Sequence, residues 1–185
     1  MGQNYKPCIL GEQPQENESE KLVAFVYSWD YGCWLKLMVH SWLPNPFVNA
    51  FESLISPVGA YHKSRVVWAG DYADAELNTP KCNLYDYCED ELNKLTPKHN
   101  SMKKYNYVVN HTKQMFVDKR KVVDSDGWKI HPLPLLTCEG NGEGGGDFYG
   151  KDNKNLIGSW ARDVISVESK KPKGYTELMF DLVED

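Results

Sequence analysis

The spacing of apolar residues changes along the chain, and that change limits the fold more than any other feature. Before residue 96, two segments carry apolar side chains at helical intervals. In "NPFVNAFESLIS", Phe47, Phe51, Leu54 and Ile55 share one face, Asn45 is placed to cap, Pro46 suits the first turn, and Pro57 and Gly59 stop the helix. In "NLYDYCEDELNKL", Leu84, Tyr87, Cys88, Glu91, Leu92 and Leu95 repeat the helical spacing, with Asn83 as the cap and Thr96-Pro97 as the stop. After residue 100 the texture is that of strands. "KYNYVVNHT" and "QMFVDKRKV" predict a hairpin around Thr112-Lys113, and "NLIGSWARDVISVE" predicts one or two strands. "GYTELMFDLVE" predicts a last strand, and the Pro-interrupted "GWKIHPLPLL" an edge strand or a loop lying on the core.

"LVAFVYSWD" and "RVVWAGDY" add two strands to the first half, with an irregular strand or wide turn in "YGCWLKLMVHSWL". No strand–helix–strand rhythm repeats. The expected fold is therefore α+β: a single domain over residues 1–185, with a mainly antiparallel sheet and two or three short helices. The 185 residues suffice for one sizeable core. Residues 11–21 are rich in Glu, Gln and Asn and predict a mobile polar loop.

A formal net charge of -5 gives no basic footprint for duplex nucleic acid, and none is expected as a partner. The lysines of "KHNSMKKY" and "VDKRKV" read as solvated loop or edge-strand charges. Five cysteines at wide spacing, without a CxxC pair, argue against a disulfide framework or a structural zinc site. The N-terminal stretch has no basic region followed by an apolar run, and no stretch approaches the roughly 18 apolar residues of a membrane span. A cytoplasmic location without membrane contact is expected. Oligomeric state and cofactor have no signature.

Glycine fills six of the eleven positions in 140–150, with Glu139, Glu143 and Asp147 among or beside them. "GGDFYGK" has the G-x-x-x-x-G-K spacing, but Asp152 stands where Ser or Thr should hold magnesium, and no helix opens after it. G-x-G-x-x-G can be laid on Gly140, Gly142 and Gly145 without the strand–helix unit that gives the pattern meaning. What remains is a backbone free to fold tightly and expose amides. That describes a flexible surface loop, a ligand-shaping loop or an oxygen-ligand metal loop.

Around this segment the candidate ligand-binding residues are His111, His131, Glu139, Gly142, Gly144, Gly145, Asp147, Trp160 and Arg162. Arg162 is suited to clamp a phosphate or carboxylate, with Trp160 offering an aromatic surface on the same strand face; a structural ion pair with Asp163 is the plainer reading. Asp71 and Asp74 stand at a predicted strand end and either do acid–base work or cap a turn. Cys138 has no local support as a nucleophile, and no catalytic residue or metal ligand is assigned.

"NPFVNAFESLI", "VVWAGDYAD", "NLYDYC", "YNYVVNHTKQMFVD", "IHPLPLLTCEGNGEGGGDFYG" and "GSWARDVISVE", in that order, resemble a family of small uncharacterised proteins of bacteriophages and prophages. The likeness runs from Leu22 onward, with the glycine segment its most specific part. It implies a protein made in the cytoplasm of an infected bacterium and carries no activity. Three functions follow as expectations. One is binding of a small polar or nucleotide-like ligand between the glycine-rich loop and Trp, Arg and His side chains. The second is interaction with a host protein, including a defence protein, through an exposed aromatic patch. The third is metal-assisted hydrolysis by Asp71, Asp74, His111, His131 or Asp147.

Overall fold

The computed structural model describes residues 3–79, 81–98, 105–125, 127–140, 148–150 and 156–184. The fold is α+β. Its strands are β1 Tyr5–Leu10, β2 Leu22–Val26, β3 Trp42–Leu43, β4 Ser64–Gly70, β5 Lys94–Leu95, β6 Tyr107–Asn110, β7 Met115–Asp118, β8 Asp124–Ser125, β9 Trp128–Ile130, β10 Cys138–Glu139, β11 Phe148–Gly150, β12 Val164–Glu168, β13 Thr176–Glu177 and β14 Leu182–Glu184. Four short helices accompany them: α1 Leu37–His40, α2 Pro46–Leu54, α3 Leu84–Tyr87 and α4 Pro132–Thr137.

The main sheet runs β13-β7-β6-β12-β4-β1-β2-β5, with β10 beside β4. Its central pairs are antiparallel, and the short β5, β10 and β13 join in parallel. Alternation along the strands makes two buried faces. On one, Ile9, Val26, Val66, Trp68, Val108 and Ile165 pack beneath Phe47 and Phe51 of α2 and Leu133 and Leu136 of α4. On the other, Cys8, Phe25, Val67 and Ala69 lie under Leu84 and Cys88, while Tyr107, Val109 and Phe116 form a separate cluster with Tyr175.

Local chemistry explains the helices. Asn45 caps α2 by accepting from the Phe47 and Val48 amides, with Pro46 in the first turn. Asn83 and Asp86 close a capping box on α3. That helix stops after one turn, because Asp90 caps a 3-10 turn over Glu91–Asn93 and Lys94–Leu95 then pairs with β2. The long helix expected over residues 83–95 is thus replaced by three pieces. "GWKIHPLPLL" is also corrected: it becomes β9 followed by a fully buried helix, α4. Pro132 and Pro134 fall in its first turn, where the missing N–H groups have no intrahelical partner to lose. Strand β12 begins only at Val164, since Gly158 and Arg162 have φ of 69° and 66° and the preceding residues form turns.

Residues 11–21 carry no helix or strand but are tied down. The Gly11 amide donates to the Lys21 carbonyl, and Glu20 is buried.

Candidate functional site

Strand β10 carries Glu139 to the edge of β4 by pairing Cys138 with Trp68 and Glu139 with Ala69. Two glycines permit that approach. A Cβ on Gly70 would lie 2.5 Å from the Glu139 carbonyl oxygen, and one on Gly158 would lie 2.5 Å from that of Cys138. Arg162 then reaches Glu139 with Nε at 2.7 Å from Oε2 and Nη2 at 2.6 Å from Oε1. Its remaining N–H groups donate to both Glu76 carboxylate oxygens and, at 3.4 Å, to Glu20. Glu20 is meanwhile held in a bidentate pair by Arg65, at 2.7 and 2.9 Å. Arg65 also donates from Nε to the Arg162 carbonyl at 3.1 Å. Burial opposes the Arg162 charge, but Glu139 and Glu76 outweigh it and raise the guanidinium further above its ordinary range.

This geometry decides what Arg162 can do. All five N–H donors are engaged, and among the described residues three carboxylates face two guanidiniums. It does not clamp an incoming anion. Glu139 and Arg162 are brought together, but as partners of each other, and Arg162 pairs with three glutamates rather than with Asp163. Trp160 lies elsewhere: it is 1% exposed, inside the core, and offers no face to a ligand.

His111 and His131 enter two further networks. His111 follows β6, and its Nδ1 lies 2.9 Å from the Tyr175 hydroxyl and its Nε2 2.8 Å from Ser166 Oγ. Ser166 donates to Glu168 Oε1 at 2.7 Å, which His62 Nε2 also reaches at 2.7 Å. Because the single serine proton goes to Glu168, the ring must donate from Nε2 and accept the Tyr175 proton at Nδ1. Burial, with Lys63 adding to it, lowers the His111 pKa, in keeping with a neutral ring. Ser166 is 0% exposed, and its proton is not handed to the imidazole, so this is not an activated nucleophile.

His131 caps α4 by accepting from the Leu133 amide, and its Nε2 lies 3.1 Å from Glu52 Oε1 without hydrogen-bond alignment. Lys119 pairs with the same carboxylate. Burial alone would raise the Glu52 carboxyl, but Lys119 and His131 hold it down at about 2. Asp71 accepts from both the backbone and side-chain nitrogens of Asn4, and Asp74 is exposed. Among the described residues no three His, Cys, Asp or Glu side chains are grouped to hold a metal ion. Gly142, Gly144, Gly145 and Asp147 lie outside the described residues.

A different surface stands out. The sequence contains six tryptophans, and Trp29, Trp34 and Trp128 are 45%, 62% and 61% exposed. Helix α1 buries Leu37 and His40 and turns Met38 and Val39 outward. Trp29 and Trp34 meet edge to face at 4.7 Å beside them, in a cleft of about 560 Å³ that Asn4 and Lys36 also line. The half-buried Trp42 donates its indole N–H to the Met38 carbonyl and meets Trp128 edge to face at 6.0 Å, which joins both aromatic pairs into one surface. Sequence reading left "YGCWLKLMVHSWL" ambiguous and missed this surface. Its signal was three tryptophans within fourteen positions that follow neither a helical nor an alternating period.

No protein-family model matches the chain, and searches of curated proteins and of solved structures find no similar protein. Among the described residues no helix is long and apolar enough to cross a membrane.

Proposed function

We propose that the chain is an interaction protein whose tryptophan surface receives another protein. The observation that carries this reading is the joining of Trp29, Trp34, Met38, Val39, Trp42 and Trp128 into one outward apolar surface. Contiguous exposed apolar area is costly in a protein that stays alone, and tryptophan is the side chain that most often dominates binding energy. Among the described residues Lys36 is the single charged side chain lining the cleft. The fitting partner presents a bulky apolar side chain next to a carboxylate. The resemblance to phage proteins directs the search to proteins of a bacterial host.

The test is paired affinity capture with wild type and a Trp34→Ala, Trp128→Ala variant, followed by titration calorimetry on each purified captured species. A species bound by wild type and lost by the variant supports the reading. Equal binding by both proteins refutes it. Sedimentation of the chain alone separates a partner protein from a second copy.

A second reading, a small polar ligand held by the glycine-rich segment, draws on a cavity of about 510 Å³ lined by Tyr61, Lys63, Thr112 and Arg162. That segment continues from Glu139, which Arg162 holds in place. Replacing Gly144 and Gly145 by Val is expected to abolish small-molecule adducts in native mass spectra while the fold survives. Unchanged adducts would remove the segment from the site.

A further inference from the structure

Cys8 lies in the middle of the main sheet on β1, and Cys88 immediately follows α3. They are 80 positions apart in sequence, and their sulfurs are 3.4 Å apart in space. Both are free thiols and buried, at 0% and 4% exposure. The Cys8 thiol donates to the Lys6 carbonyl and the Cys88 thiol to that of Leu84. Forming an S–S bond of about 2.0 Å needs the two sulfurs to close by roughly 1.4 Å.

Cys88 is also reachable. It lines a cavity of about 330 Å³ together with Lys6, Tyr27, Tyr85 and Glu89. The Lys6 ammonium is fixed there, 3.8 Å from the Tyr85 ring centroid and 3.3 Å from the Tyr85 carbonyl oxygen. The other three cysteines have no such arrangement. Cys82 is exposed, Cys33 is half-buried, and Cys138 is buried with its thiol donating to the Leu135 carbonyl.

We propose that Cys8 and Cys88 are a reversible dithiol that closes to a disulfide when a hydroperoxide enters the Lys6 cavity. The Cys88 thiolate attacks the O–O bond of hydrogen peroxide, takes one oxygen as sulfenic acid and releases hydroxide, which gains a proton to become water. The Cys8 sulfur then attacks the Cys88 sulfur, the S–S bond forms, and the sulfenic oxygen leaves as hydroxide and takes the Cys8 proton as a second water. Two thiols supply two electrons, and one peroxide becomes two waters. The product ties β1 to the segment between Asp71 and Cys88, which also delivers Glu76 to Arg162.

The experiment uses the full, reduced chain carrying Cys82→Ser, which removes the exposed thiol. Hydrogen peroxide is added and quenched, and intact mass, a non-reducing peptide map and thermal midpoint are measured. The expected product has lost about 2 Da, joins the Cys8 and Cys88 peptides, melts higher, and reverts with dithiothreitol. In a Cys8→Ser background the same treatment instead adds about 16 Da or multiples of it at Cys88. Recovery of Cys8 and Cys88 as free thiols after other sulfurs in the chain have oxidised would overturn the proposal. So would a disulfide joining Cys8 to Cys33 or Cys88 to Cys138 in the peptide map. Both readouts come from the Cys82→Ser chain and stand even where Cys8→Ser does not fold.

Discussion

Replacing Glu52 by Gln tests whether the fold depends on a buried ion pair. Glu52 is 3% exposed on α2 and Lys119 8% exposed after β7. The substitution keeps the shape of the side chain and leaves the Lys119 ammonium buried beside a neutral amide. Breaking such a pair costs about 3–5 kcal/mol. The titration of the carboxyl gives an independent figure. It is held at about 2 against an ordinary 4.5, and that difference corresponds to about 3 kcal/mol of folding free energy. The sign follows from the direction. A depressed carboxyl pKa stabilises the fold above pH 4.5, and the contribution is lost as pH falls through about 2. Denaturant unfolding of wild type and Glu52→Gln should therefore differ by about 3 kcal/mol at pH 7, or roughly 10 °C in melting temperature, and the gap should shrink steadily below pH 4.5. A Glu52→Leu, Lys119→Met double variant should be more stable than either single variant, since it leaves no unpaired charge. A loss under about 1 kcal/mol at pH 7, or a gap that does not change with acid, would refute the reasoning.

Three more outcomes follow from other sites. Burial pushes the His40 pKa down to about 4 against the opposing Trp34 carbonyl. Its ring should stay neutral in an NMR titration until about that pH, and stability should fall by about 3 kcal/mol between pH 6.5 and 4; a ring titrating near 6.5 would refute this. At Arg162, whose φ is 66°, Arg162→Gly should cost less than Arg162→Ala by about 1 kcal/mol in denaturant unfolding, the reverse of the usual order. Trp34→Ala with Trp128→Ala should change stability by no more than about 0.5 kcal/mol per site while lowering the iodide-quenchable tryptophan fluorescence to that of Trp29 and Trp42, because Trp68 and Trp160 are buried.

The fold class was legible because caps and periods are local. Asn45-Pro46 and Asn83 announce helix starts, and β-branched runs announce β4, β6, β7 and β12. Partners were not legible, because they depend on strand register. Glu20, Glu76 and Glu139 are far apart in sequence and converge on Arg65 and Arg162 through the pairing of β1 with β2 and of β4 with β1, β10 and β12. Glu52 did leave a trace: Val48, Glu52 and Ile55 fall on one helix stripe, so a charge sat among apolar positions. Trp160 misled because its residue type suits a binding surface, while left-handed turns at Gly158 and Arg162 take it out of strand geometry and into the core.

His40 connects the buried structure to the exposed tryptophans. Its Nε2 accepts from the Trp68 indole at 3.0 Å, so its Nδ1 carries the proton and donates to the Trp34 carbonyl at 3.1 Å. One imidazole thus ties the segment bearing Trp34 to the centre of the sheet, where Trp68 is packed by Phe47 and Phe51. It also belongs to α1, the turn that points Met38 and Val39 outward. A surface held in this way loses little conformational freedom when another protein covers it, and more of the apolar contact then appears as affinity. Protonation of His40 removes the lone pair that Trp68 needs. The Nδ1–H bond to Trp34 survives protonation but the tie to Trp68 does not, so binding by the tryptophan surface should weaken toward pH 4 as His40 is cut from the sheet.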